Sequence, residues 1–178
     1  MTTEPTPRER DPFLEAVGRV ALAGAELDIA LKGLLGRIAP EPTLLMHANS
    51  QSTKALIDFC KLALRVEHLA EEDIAEISAC LARADSCRDR RNTIIHAIYT
   101  PTESGDGIEA VNPVSKKLGY RVSSISVERM ETLADEITVL GADLFQVGWN
   151  ATAGKMPGMQ PIPARLPGQT VNGITPKQ

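Results

Sequence analysis

Aromatic residues are scarce in this 178-residue chain: Phe, Tyr and Trp together make up 3%. A core without rings must be built from Leu, Ile, Val and Ala, which favours close-packed helices over a β-sandwich. No apolar run reaches the length of about 20 residues that a membrane-crossing helix needs, so no membrane partner is expected. Residues 1–10 are polar and lack the apolar region of a signal peptide, which makes the cytoplasm the expected location. Cysteine is limited to Cys60, Cys80 and Cys87, an odd number without C-x-x-C spacing. These read as reduced, part-buried thiols rather than as disulfide partners or metal ligands. Cys80 and Cys87 lie two turns apart on one helical pattern, too far for a bridge. No His/Asp/Glu cluster suggests a metal site, and no cofactor is expected. The net charge of -4 offers no bulk attraction to nucleic acid, so any RNA contact must use a local basic patch. No internal repeat is found.

What is present fits one domain with tails. The hydrophobic fraction of 43% is ordinary for a globular chain. Residues 1–10 hold little to bury and read as disordered. Residues 11–150 read as a helical bundle, and 151–178, rich in Gly and Pro, as an extended or disordered tail. Asp11-Pro12 is a helix start, a capping carboxylate followed by Pro. The first helix then reaches about Ala39, with Val17, Val20, Gly24, Leu27, Leu31, Leu34 and Ile38 as its apolar seam. Gly18, Ala21, Gly24 and Ala25 would let another helix approach closely. Pro40-Glu41-Pro42 stops it, and 43–51 reads as a connector that carries His47. A second helix runs from Ser52 or Thr53 to about Glu67, with Leu56, Phe59, Ala63 and Val66 inward. A third begins at the acidic turn Glu71-Glu72-Asp73 and is ended by Thr100-Pro101. Residues 100–125 read as a small β-hairpin or flap. Its Lys116, Lys117 and Arg121 are either solvated loop charges or RNA-backbone contacts. Ser126 caps a fourth helix to about Trp149, with Met130, Leu133, Ile137, Leu140, Leu144 and Val147 on its seam. Trp149 is placed to cover the end of the bundle or a dimer contact. The fold expected is all-α, a four-helix up-and-down bundle with a flap before the last helix.

The third helix carries the unusual stretch, Arg88-Asp89-Arg90-Arg91-Asn92-Thr93-Ile94-Ile95-His96. Its apolar face, Ile74, Ile77, Leu81 and Ala84, continues into Arg88 and Arg91 before returning to Ile95 and Ile98. A guanidinium on a buried stripe is costly unless it is paired or meets water. Such a break in a consistent pattern marks a candidate site. Asn92 and His96, four residues apart, share a face with Arg88 one turn earlier, and the long side chain of Arg91 reaches the same region. Guanidinium binds phosphate bidentately, and imidazole transfers protons near neutral pH. Glu26 and Asp28 on the first helix are either a solvated edge or carboxylates that orient the Arg88/Arg91 pair.

Arg91-Asn92-Thr93-Ile94-Ile95-His96 resembles the R-x4–6-H signature of HEPN domains, many of which carry a polar residue directly after the Arg. Arg90 also falls within the permitted spacing, but its follower is not polar in that sense. HEPN toxins paired with nucleotidyltransferases often have a Tyr two residues after the His; here that position is Ile98, and Tyr99 comes third. The resemblance implies an α-helical bundle, a homodimer with paired motifs at its interface, and often metal-independent endoribonuclease activity on single-stranded RNA. It implies Arg91 and His96 as the catalytic pair, Asn92 as their polar companion, and a toxin or anti-phage role with an antitoxin or immunity partner. RNA supplies its own nucleophile, the 2′-OH beside the scissile phosphate. His96 would then be the proton carrier, Arg91 the neutraliser of transition-state charge, and Arg88 an added phosphate ligand. The alternative is a non-catalytic helical dimer of the same type that binds a nucleotide, RNA or a protein partner.

Overall fold

The computed structural model describes residues 10–104, 107–114, 118–155, 157–163 and 169–171. The elements in chain order are α1 (Pro12–Ile38), α2 (Pro42–Ala48), α3 (Thr53–Val66), α4 (Glu71–Ile95), β1 (Ile98–Pro101), β2 (Ile108–Pro113), β3 (Tyr120–Ile125) and α5 (Val127–Ala153). The fold is therefore mostly helical, with a small antiparallel sheet in the order β1-β2-β3.

The helix starts follow the capping chemistry of the sequence. The Asp11 carboxylate accepts from the amides of Phe13 and Leu14, at 2.9 and 3.3 Å. Glu41 does the same for Leu44 at 2.8 Å, and Ser52 and Ser126 cap α3 and α5. Each such bond satisfies an amide that the helix itself leaves unpaired.

The central element is α1, which packs against all four other helices. Its Leu27, Leu31, Leu34, Leu35 and Ile38 are fully buried, and they meet Leu56 and Ile57 of α3, Ile77 and Leu81 of α4, and Met130, Ile137 and Leu140 of α5 in one core. A fully buried Leu or Ile contributes about 1.5–3 kcal/mol relative to its exposed state, so this aliphatic seam holds the helices together, with Phe13, Phe59 and Tyr99 packed at its margin.

Several expectations need correction. The chain is not all-α, and the flap has three strands rather than the two of a hairpin. The reason is that α4 ends at Ile95, not at Thr100-Pro101: Ile98, Tyr99 and Thr100 are β-branched or aromatic and leave the helix to pair with β2. Ile98 lies opposite Val111 and Pro101 opposite Ile108; β3 then runs against β2 from Ile108/Ile125 to Pro113/Tyr120. The connector at 43–51 contains the short helix α2, because Glu41 caps it and Pro42 sits at its first turn. On α3 the inner face is turned toward Cys60 and Leu64, which leaves Val66 exposed at the frayed end. On α4, Cys87 and Ile94 are buried where the stripe count placed Arg88, Arg91 and Ile98, so the apolar face slips sideways near the end. Helix α5 runs past Trp149 to Ala153.

The tail is partly seen, and it lies against α5. The Asn150 side chain exchanges two hydrogen bonds with the backbone of Ile162, at 2.8 and 3.0 Å. Trp149 donates to the Gln160 carbonyl at 2.9 Å, and its ring and that of Phe145 lie under the Arg37 guanidinium at 4.9 and 4.8 Å. Residues 1–9, Lys116, Lys117 and the rest of the tail lie outside the described residues.

All three cysteines are free and buried. Burial pushes the Cys60 thiol up to about 12, and its S–H points to the Leu31 carbonyl at 3.6 Å. The native state keeps this proton after an unfolded chain, titrating near 9, has lost it. The stabilisation is therefore complete below pH 9 and is lost as pH rises toward 12, at about 1.4 kcal/mol per pH unit. Denaturant melts of wild type and Cys60→Ala between pH 8 and 11 are expected to diverge in slope by that amount, the wild type falling faster.

Candidate functional site at the end of α4

The C-terminal turn of α4 is held by the sheet. Tyr99 of β1 donates its hydroxyl to the Ile94 carbonyl at 2.6 Å, and burial raises that phenol above its ordinary range. The same ring meets Phe13 of α1 edge-on at 4.9 Å. Asn112 of β2 donates to the Thr93 carbonyl at 3.0 Å. Carbonyls of the last helical turn are thus bonded by side chains from two strands. His96 is the C-cap residue, and its amide donates to the Asn92 carbonyl at 3.1 Å. The backbone turn therefore still stacks His96 above Asn92, although His96 is no longer helical.

The three arginines of the motif have different fates. Arg88 is largely buried and is held by Asp85 and Asp89 at 2.9 and 2.7 Å. Its charge is neutralised by its own helix. Arg90 is closed onto Glu136 of α5 and also donates to the Cys87 sulfur; the Glu136 bond holds it more firmly protonated. Arg91 is half-buried and, among the described residues, has no carboxylate partner within ion-pair distance. Its Nη1 donates to the Asn92 side-chain oxygen at 3.0 Å. Its Nε is buried and has no hydrogen-bond partner. The Nε side of the guanidinium lies against Gly24 of α1: a Cβ built there would stand 2.8 Å from Nε and 3.4 Å from Cζ.

Arg91 and Asn92 are thus brought together, with His96 exposed at the helix end beside them. The two carboxylates offered by α1 separate. Glu26 is exposed and lines a groove of about 570 Å³ between α1 and α5, with Ile29, Arg37 and Phe145. Asp28 is one turn from Gly24 on the same face, and its Oδ1 is buried without a partner. A second cleft, of about 600 Å³, lies between the sheet and α5. It is lined by Arg90, Thr93, Ser123, Arg129 and Glu136, not by Arg91 or His96. Arg121 is exposed on β3, opposite Asn112. Among the described residues no group of three His, Cys, Asp or Glu side chains is placed to hold a metal ion.

Sequence reasoning passed over four residues that shape this end of the molecule. The pairing of Asp85 with Arg88 was legible in their spacing of three along the helix, whereas neighbours such as Arg88 and Asp89 do not normally face each other. Glu136 and Tyr99 come from other elements, and no local pattern announces them. Gly24 was noticed as a small residue for a close helix approach; what approaches is the Arg91 side chain. No family model, curated protein or solved structure matches the chain.

Removing the Tyr99 hydroxyl leaves the Ile94 carbonyl with the longer bond from the Ala97 amide, at 3.3 Å. Tyr99→Phe is expected to cost about 1 kcal/mol in denaturant melts and to speed hydrogen exchange at the α4–β1 junction relative to the middle of α4.

Proposed function

We propose that this chain is an endoribonuclease of HEPN type, a helical bundle whose Arg91, Asn92 and His96 act on a phosphodiester of single-stranded RNA without a metal. The observation that carries the reading is the charge balance of the motif. Arg88 and Arg90 are closed by carboxylates, whereas Arg91 keeps an unneutralised guanidinium bonded only to a neutral amide. An arginine so placed is available to a phosphate, and the contact is worth more in a half-buried site than in water.

In the reaction, the 2′-oxygen attacks the adjacent phosphorus and the bond to the 5′-oxygen breaks. The products are a 2′,3′-cyclic phosphate and a 5′-hydroxyl. His96 carries a proton from the 2′-OH or to the leaving oxygen. Arg91 neutralises the charge that grows on the non-bridging oxygens, and Asn92 fixes the guanidinium in plane. One observation favours a second reading, the non-catalytic binding module: the His96 side chain has no described hydrogen bond to Arg91 or Asn92. A phosphate would then be held by Arg91 with no proton transfer.

The dimer belongs to the same proposal, and the outer face of α1 supports it. Leu14, Leu22 and Ile29 are 65%, 64% and 68% exposed and repeat at seven- and eight-residue steps. Gly18, Ala25 and Gly33 lie exposed between them. Large and small residues alternate along one ridge, the pattern by which two copies of a helix interlock.

Wild type is expected to cleave a fluorescent single-stranded RNA in EDTA, with Arg91→Ala and His96→Ala each at least about 100-fold slower and still folded by circular dichroism. Cleavage that survives in both variants refutes the mechanism. Binding of the RNA by wild type with no cleavage selects the second reading. Separately, Leu22→Glu with Ile29→Glu is expected to convert a dimer to a monomer in sedimentation; an unchanged mass places the interface elsewhere.

A further inference from the structure

We propose that Gly24 of α1 is a positioning residue for Arg91: the absent side chain at 24 is the seat of the guanidinium. The inference rests on the reading of Arg91 as the phosphate-binding group and extends it to a second helix. A methyl at position 24 would stand 2.8 Å from Nε, 3.4 Å from Cζ and 3.5 Å from Cδ of Arg91. These are the outer atoms of a flexible side chain, so relief comes from moving the guanidinium and not from moving either helix. Glycine in mid-helix is otherwise a cost, because it loses more conformational freedom than alanine on folding. Here that cost creates a space whose nearest neighbour is Arg91.

With its Nε against this seat, the guanidinium turns Nη1 to Asn92 and is not drawn into a closed ion pair as Arg88 and Arg90 are.

Gly18 supplies the control. It lies on the same helix, is exposed, and has nothing within 4 Å of an added Cβ. Gly18→Ala therefore adds a methyl to the same helix without meeting Arg91. The test compares wild type, both alanine variants and Gly24→Ala combined with Arg91→Ala. The first readout is the Nε–H resonance of Arg91 in nitrogen-edited NMR, identified by its absence in Arg91→Lys. It is expected to move in Gly24→Ala and to stay in place in Gly18→Ala. The second is RNA cleavage. Gly24→Ala is expected to lower kcat about 100-fold with KM changed less than about threefold, the loss that a misplacement near 1 Å produces. A resonance unmoved in Gly24→Ala, or kcat in Gly24→Ala equal to that of wild type, overturns the proposal. Should Gly24→Ala lose its cooperative melt, the double variant decides: removal of the Arg91 side chain is expected to restore the melt, and a melt not restored overturns the proposal. If wild type cleaves no RNA, the nuclease reading fails, and the NMR comparison still tests the seat.

Discussion

Everything in this molecule hangs on the burial of one leucine-rich helix. The inner face of α1 is shared among α2, α3, α4 and α5, so Leu27, Leu31, Leu34, Leu35 and Ile38 lose nearly all contact with water at once. Aliphatic side chains interlock at native density only when the backbones come close, and the small residues Ala23 on α1 and Gly148 on α5 permit it. A helix buried on so many sides has little freedom to shift. It is a well-packed support for the side chains that rest on it.

The sheet performs a separate task. Its strands are short and partly exposed, and Ala110 is its one fully buried residue. Its value lies in where it grips: the Tyr99 hydroxyl and the Asn112 amide bond the carbonyls of Ile94 and Thr93. Those bonds stop α4 at a defined turn and leave His96 facing solvent. A helix that ran on to Thr100 would carry the imidazole on its shaft instead.

Charge allocation is the third consequence of the packing. Six ionised groups, Asp85, Arg88, Asp89, Arg90, Arg91 and Glu136, meet within two turns of α4 and one face of α5. Five of them stand in ion pairs, Arg88 with Asp85 and Asp89 and Arg90 with Glu136. The sixth, the Arg91 guanidinium, lies against a glycine. The six charges sum to zero, so in a chain with a net charge of -4 this guanidinium is a single donor group and not a general attraction for polyanions.

The four long helices were legible because apolar periodicity and capping are local. Asp11, Ser52 and Ser126 cap where their chemistry says they should, and the seam of α5 is buried as read from Met130 to Leu144. The end of α4 was not legible. Ile98 continues the helical count as well as it suits a strand, and the choice between the two was made by pairing with β2, a contact more than ten residues away. By itself the sequence determined a helical protein with a basic, polar turn ending in Asn92 and His96, because spacing along a helix is set by covalent geometry. Only the tertiary structure decided which arginine stays unneutralised. Glu136 and Gly24 reach α4 from distant parts of the chain, and a charge is spent or kept according to what lies beside it in space.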